Sequence, residues 1–403
     1  MLLRALAPLC LLAGLLVGPA AAQDGVAPIA SPAAPAFAPA PAPAASERPT
    51  TTVSFRFGYY EQDDEDGLAG NPFLDEDATV LEPVLLVEQE VSEDTRVSGK
   101  FSHDYVSSAS IARLDNYPSQ SGASADYYFG IDLGAQTKVQ DDFTLSGNAR
   151  YAIERDYRSA GFTVGLRWES PDRNTALGAS VTGYYDTVIK IRFNGANDGS
   201  SPRRTLSFDL DAYRVLTPWL HAEGGYTLSR QWGFLATALN AAVIEGPGTR
   251  PNFFLTNAFP GVEVEEDLPG LRIRHALWGR IRGLLGPVAL ELLLRGYVDS
   301  WGVEAFELQP RAFVWLLEDL LRLRLGYRYY RQSRARYHRD HFTEVRYHRT
   351  QDPDLAAFDS HTAGAQLALF LGDRFRLDAA IDYVWRSDDL DQLRTSAGLR
   401  VRF

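Results

Sequence analysis

The sequence predicts an all-β protein: a transmembrane, antiparallel outer-membrane β-barrel of about 16 strands. Three observations predict it. Apolar and polar residues alternate with period 2, segment after segment, from residue 51 onward. The junctions between those segments are alternately tight turns and long loops. After Thr50 no run of about 18 apolar residues occurs, so no transmembrane helix is present.

The first element is MLLRALAPLCLLAGLLVGPAAAQDG. Arg4 precedes an apolar run from Leu9 to Val17, and Ala20, Ala21 and Ala22 offer a small-residue cleavage site before Gln23. Residues 1–22 therefore read as a secretory signal peptide; the run is shorter than the roughly 20 residues a spanning helix needs. Cys10 is the single cysteine and lies inside this run, so the mature chain is expected to hold no disulfide, thiolate metal site or cysteine nucleophile. Residues 23–49 follow with proline every two or three positions, as in APIASPAAPAFAPAPAPAAS. Proline prevents helix and alanine supplies little apolar area, so this stretch reads as a disordered Ala/Pro-rich periplasmic tether.

Residues 50–403 form the barrel. In LRIRHALWGRIRGLL, Leu271, Ile273, Leu277 and Ile281 face one way and Arg272, Arg274, Trp278, Arg280 and Arg282 the other. In LLRLRLGYRYY, Leu321, Leu323, Leu325, Tyr327 and Tyr329 alternate with Arg322, Arg324 and Arg328. FRLDAAIDYVWR sets Phe375, Leu377, Ile381 and Trp385 against Arg376, Asp378, Asp382 and Arg386, and TLSFDLDA sets Leu206, Phe208 and Leu210 against Asp209 and Asp211. The pattern marks strands at 51–61, 79–90, 95–107, 126–139, 142–154, 157–169, 174–190, 203–216, 218–231, 269–284, 287–300, 302–317, 320–332, 357–371, 374–386 and 391–403. Most exceed the ordinary globular strand of about 5–6 residues and reach the ~9–11 that cross a bilayer at a tilt.

Tight turns fall at 92–95, 140–142, 170–174, 217–218, 286–287, 318–320 and 372–373, and long polar loops at 62–78, 108–125, 191–202, 232–268 and 333–356. An even strand count puts both termini on the tight-turn side, which is expected to be the periplasm. A bilayer core has no water for unpaired backbone groups, so strand 391–403 must pair with strand 51–61. Its outward row, ending Leu399, Val401, Phe403, faces lipid and reads as the signal by which barrels are recognised by the assembly machinery; Arg394, Arg400 and Arg402 face water. Tyr59, Tyr60, Trp168, Tyr184, Trp219, Trp232, Trp315, Tyr329 and Trp385 lie near strand ends, where aromatic girdles belong. A large soluble β-sandwich or lectin-like fold would also alternate, but predicts no asymmetry of loop length.

Several stretches go further: DYVSSAS at 104–110, ERDYRS at 154–159, DRNTALG at 172–178, LPGLRIRHAL at 268–277, RGYVDSWG at 295–302 and RYYRQS at 328–333. In order and spacing they resemble the domain of unknown function 3570 (DUF3570) family of Gram-negative outer-membrane proteins, over most of residues 50–403. The resemblance implies an outer-membrane barrel and brings no activity. The chain departs from the family in RARYHRDHF, which is more basic and richer in histidine.

Function must come from sites. Arg272, Arg274, Arg280, Arg282, Arg295, Arg322, Arg324, Arg328, Arg376, Arg394 and Arg400 are expected to line the lumen with Asp209, Asp211, Glu291, Asp299, Glu307, Asp378 and Asp382. They read either as a pore favouring anionic solutes or as cross-strand ion pairs stiffening the wall. Lys100, Lys138 and Lys190 are the only lysines, so arginine carries nearly all positive charge. Within 232–268, Phe234, Leu235, Ala238, Leu239 and Ala242 have roughly helical spacing; the segment is expected to fold inward as a constriction, or to pack as a lid.

His338, His341 and His348 are weak metal candidates; flanking arginines favour a solvated loop touching lipopolysaccharide phosphates instead. Loop 61–78 carries eight acids and reads as a solvated run rather than a calcium loop. His103–Asp104 and Asp359-Ser360-His361 are the only hydrolytic candidates, without a nucleophile turn. No cofactor is expected, and a net charge of −12 disfavours nucleic acid. The leading expectation is a porin-like channel or export conduit for a small solute or exported product. A plugged scaffold holding a partner protein comes second, and a rim hydrolase third.

Overall fold

The computed structural model describes residues 50–64, 74–75, 77–106, 111–112, 126–246 and 261–403. The signal peptide and tether expectations, and most of the acidic loop, lie outside these residues. Numbered in chain order, the wall strands are β1 (Thr51–Asp63), β3 (Ala78–Glu90), β4 (Thr95–Val106), β6 (Asp126–Gln140), β7 (Phe143–Ile153), β8 (Tyr157–Glu169), β9 (Thr175–Ile191) and β10 (Asn197–Thr217). They continue with β11 (Leu220–Gly233), β14 (Leu271–Leu285), β15 (Val288–Asp299), β16 (Glu304–Leu317), β17 (Leu321–Gln332), β18 (Phe358–Leu371), β19 (Phe375–Arg386) and β20 (Asp391–Arg402). Two small two-stranded sheets lie outside the wall: β2 (Leu74–Asp75) with β5 (Ile111–Ala112), and β12 (Ala241–Glu245) with β13 (Gly261–Glu265).

Each wall strand pairs antiparallel with its neighbours in the chain order of the wall, and β1 pairs with both β3 and β20, which closes the ring. At the seam Thr52 opposes Arg402, Phe55 opposes Leu399 and Phe57 opposes Ala397. The Phe403 amide donates to the Thr51 carbonyl at 2.9 Å, so pairing reaches the last residue. No edge is left in the wall, which is what a sheet surrounded by hydrocarbon requires.

Tight turns at 91–94, 141–142, 170–174, 218–219, 286–287, 318–320 and 372–374 share one rim with both ends of the barrel chain. Gly286 and Gly372 take φ of +61° and +64°, the left-handed region these short reversals need. On the opposite rim the connections 234–270 and 333–357 are long, whereas the expected long loop at 191–202 is a turn at 192–196. The reason is that β10 begins at Asn197. Its first residues, DGSSPR, carry no large apolar side chain on either face, so the apolar row that marks a lipid-facing strand is missing there. The β9–β10 hairpin thus extends past the pairing of its neighbours, and Arg192 at its turn meets Glu265 of β13 at 3.1 Å.

Alternation divides the wall into two faces. Phe55, Ile131, Leu133, Phe162, Leu206, Leu277, Leu285, Leu325 and Leu399 are all exposed on the outside, Leu277 at 65% and Leu285 at 69%. A continuous apolar belt of this extent is unfavourable in water and natural in lipid. Trp168, Trp219, Trp232, Tyr329 and Trp385 sit on the outer face near its rims, as expected of girdles. Tyr60, Tyr184 and Trp315 turn inward instead, because each occupies the alternate position of its strand.

The principal apolar cluster of buried residues lies at the long-loop rim. Leu235, Ala236, Leu268, Trp301, Val303, Ala335 and Leu355 pack with Tyr297, and Ala276 and Ala305 of the inner wall touch the cluster. The roughly helical spacing at 234–242 is not realised as a helix. Residues 241–245 carry Val and Ile and satisfy their backbone groups by pairing with β13. Leu235, Ala238 and Ala242 are buried as their spacing suggested. The segment is joined to loop 333–357 by the Glu245 amide bonded to the Phe342 carbonyl, 2.8 Å, and the Val243 amide to Gln351 Oε1, 2.7 Å. Together the two loops form a lid against the inner wall of β14–β16.

Candidate functional site

The lumen is lined by inward residues that strand alternation fixes. Arg272, Arg274, Arg280, Arg282, Arg295, Arg322, Arg324, Arg328, Arg376, Arg394, Arg400, Asp378 and Asp382 all fall on the inward rows of β14 to β20. Asp209 and Asp211 fall on that of β10, across the barrel. Arg56 on β1 and Arg311 on β16 belong to the same lining. Sequence reading passed over both. Arg56 was visible in SFRFGYY, but Arg311 follows Pro310 where the β16–β17 pairing is interrupted.

The charges are not evenly mixed. The half-barrel of β14 to β20 with β1 is rich in arginine, and its carboxylates are shared between guanidiniums. Glu291 accepts from both Arg282 and Arg311, the latter at 3.0 Å. Glu307 lies 3.7 Å from Arg295 and 3.2 Å from Arg328, and Asp378 lies 3.2 Å from Arg56 and 3.4 Å from Arg376. Each such group keeps a positive excess. Arg322, Arg324 and Arg394 have no ion pair with the described residues. The other half, β3 to β11, presents Glu82, Glu88, Asp104, Asp132, Asp186, Asp209, Asp211 and Glu223, with fewer cations among them. Ion pairs bridge the two halves at their seams, Arg280–Glu223 at 3.3 Å and Arg400–Glu88 at 3.6 Å. Both features are present among the described residues: cross-strand ion pairs along the wall, and a side on which arginines outnumber carboxylates.

Glycines let large side chains lie against the wall. The ring of Trp278 lies on Gly225, where an added Cβ would meet its atoms at 2.8 Å. Tyr184 lies on Gly161 with a matching separation of 2.5 Å, and Asp382 covers Gly364. A side chain lying flat on the neighbouring strand does not project into the lumen, and a barrel of this strand number is wide enough for water. Arg394 points inward and is nevertheless exposed, donating among the described residues to Gln392 Oε1 at 2.5 Å, with Tyr60 at 5.6 Å. These cross-strand beds were illegible in the sequence because they depend on register.

The three histidines of the long loop do not converge. His341 Nδ1 is 2.6 Å from Glu245 Oε1 and His348 Nδ1 is 2.9 Å from Asp267 Oδ1, so both tie loop 333–357 to the β12–β13 segment. His338 is buried, and burial pushes its pKa down to about 4. Among the described residues no group of three or more His, Cys, Asp or Glu is placed to hold a metal ion. Glu263 of β13, whose side chain is half-buried against the lid, is pushed up to about 7 by loss of solvation.

Alternation also separates the hydrolytic candidates. His103 faces outward, stacked on Phe129 at 4.5 Å, while Asp104 is buried on the inner face. Ser360 is buried inside, whereas His361 faces outward with its Nδ1 2.5 Å from the Tyr327 hydroxyl. Neither pair can act on one substrate atom.

A family model described as "Protein of unknown function (DUF3570)" matches residues 125–398. The chain belongs to the DUF3570 family. Residues 104–110, which contributed to the resemblance, precede the matched span. No curated protein matches the chain. Among solved structures, the fold is similar to OccK1 (OpdK) of Pseudomonas aeruginosa, at 10% identity and a TM-score of 0.43, over 89% of this chain and 99% of that one. It is similar to a bacterial polysaccharide outer membrane secretin at 9% identity and 0.48, over 87% and 98%. A BenF-like porin from Pseudomonas fluorescens Pf-5 gives 10% identity and 0.44, over 89% and 99%. At this distance the likeness concerns the course of the wall alone and carries nothing about solute. This DUF3570 protein is an all-β closed barrel of outer-membrane type, and no enzymatic family is indicated for it.

Proposed function

We propose that this DUF3570 barrel is a porin-like channel of the Gram-negative outer membrane that passes small anionic solutes. The observation that carries this reading is the arginine excess on one side of the lumen, where Arg322, Arg324 and Arg394 make no close ion pair with the described residues and Arg394 stays exposed inside the barrel. A field of one sign along a water-filled passage raises the local concentration of counter-ions and lowers the barrier to their entry. The apolar outer belt supports membrane residence. The tight-turn rim, which carries both ends of the barrel chain, is assigned to the periplasm and the lid to the cell exterior. Leu399, Val401 and Phe403 close the last strand and would present the assembly mark.

The lid gives a second reading: a scaffold barrel closed at its long-loop rim. Planar bilayers separate the two. Steady conductance with anion preference supports the channel. Silence supports the scaffold, and silence converted to conductance by deleting 234–245 identifies the lid as its plug.

A further inference from the structure

We propose that the lumen wall near the tight-turn rim carries an oxyanion-binding station centred on Arg322, taking carboxylate or phosphate groups. The proposal deepens the channel reading by naming the chemistry of the solute that such a passage would retain. Strand alternation brings Arg282, Phe313, Arg322, Phe370 and Arg376 side by side on the inner face of β14 to β19. Arg282 lies 5.2 Å and Arg322 5.8 Å from the centre of the same Phe313 ring. Arg322 then lies 5.3 Å and Arg376 5.5 Å from the centre of the Phe370 ring. The result is a ladder in which guanidinium and ring alternate, with Trp315 adding a further face to Arg322 at 5.6 Å.

The charges of this ladder do not balance. Arg282 has Glu291, and Arg376 shares Asp378 with Arg56. Arg322 has neither an ion pair nor a hydrogen bond with the described residues, although it is only 5% exposed. The Nε of Arg376 is likewise buried without a hydrogen-bond partner. Buried guanidinium charge needs compensation, and ring faces supply only part of it. Phe313, Trp315 and Phe370 surround the guanidinium carbon of Arg322 at 5.3–5.8 Å, and its N–H groups, which have no acceptor among the described residues, are what it can offer a ligand. Two parallel donors in one plane suit the two oxygens of a carboxylate or phosphate, and suit a spherical chloride poorly.

The test is binding to the full-length barrel in detergent, at constant ionic strength made up with sodium chloride. Inorganic phosphate and acetate are titrated separately while tryptophan fluorescence is read, Trp315 being the reporter beside Arg322. The expected result is a saturable change with one or both anions. Phosphate alone saturating assigns a phosphate station, acetate alone a carboxylate station, and both together a general oxyanion station. The apparent affinity should fall at least tenfold in Arg322→Gln and also in Arg322→Lys, which keeps the charge but loses the fork; the heat-dependent gel shift reports that each variant is folded. A response that never saturates, equal affinity in a folded variant, or a change that persists in Trp315→Phe overturns the proposal. The assay needs no conduction, so a barrel that conducts without binding removes only the station. One that binds but stays silent in bilayers removes only the channel.

Discussion

Asp382 over Gly364 shows how a single glycine lets a carboxylate lie against the wall. A Cβ at position 364 would sit 1.7 Å from Asp382 Oδ1, so Gly364→Ala must drive that carboxylate off the wall and toward the lumen. The expected outcome is a folded barrel with weaker anion preference, read as a reversal potential closer to zero; an unchanged value would mean that Asp382 has another place to lie. Two loop groups give a pH dependence with opposite signs. Glu263 rises from 4.5 to about 7 in the folded lid, so its contribution is complete below pH 4.5 and is lost as pH rises through 7. His338 falls from 6.5 to about 4, so its contribution is complete above pH 6.5 and is lost as pH falls through 4. Hydrogen-exchange protection of 241–245 should therefore fall on both the alkaline and the acid side. Glu263→Gln should flatten only the alkaline limb. At this scale the sequence told which way each lumen residue points, since parity along a strand decides that. It did not tell which carboxylate serves two arginines, or which side chain beds on which glycine, because both depend on the neighbouring strand's register.

Strands were legible almost to their ends wherever one face meets lipid, since the apolar row stops where the hydrocarbon does. The β9–β10 hairpin was not, because the first residues of β10 carry no large apolar side chain on either face. The lid was half legible: Leu235, Ala238 and Ala242 are buried as their spacing required, yet the backbone pairs as a strand, a choice made by β13 about twenty residues later. The lid's docking rests on its apolar cluster more than on its exposed histidine–carboxylate pairs, which are worth at most about 1 kcal/mol each. Leu235→Ala should therefore weaken docking by roughly 2–5 kcal/mol. Protease cleavage within 234–245 should become faster while the heat-dependent gel shift of the barrel stays unchanged. If the gel shift is lost as well, the lid is part of the barrel's own stability. His341→Ala and His348→Ala, by contrast, should change cleavage only slightly.

For the molecule as a whole, the fold follows from two requirements that the sequence states openly: an apolar row on every strand, and a ring with no edge. The proposed channel function depends on how charge is distributed around that ring, which only closure reveals. The arginines of β14 to β20 come together on one half of the lumen because those strands are consecutive, and β10 brings Asp209 and Asp211 to the other half. A net charge of −12 gives no hint of this, as much of the acid excess lies in the loops and turns. The account stands or falls on the sign of that lumen field. The most direct measurement is the reversal potential of the purified barrel in a planar bilayer under a tenfold potassium chloride gradient. The account predicts a potential of the sign given by chloride flux, moving by tens of millivolts toward potassium selectivity in Arg324→Gln/Arg394→Gln. A cation-selective wild-type barrel, or a double variant with unchanged potential, would contradict it.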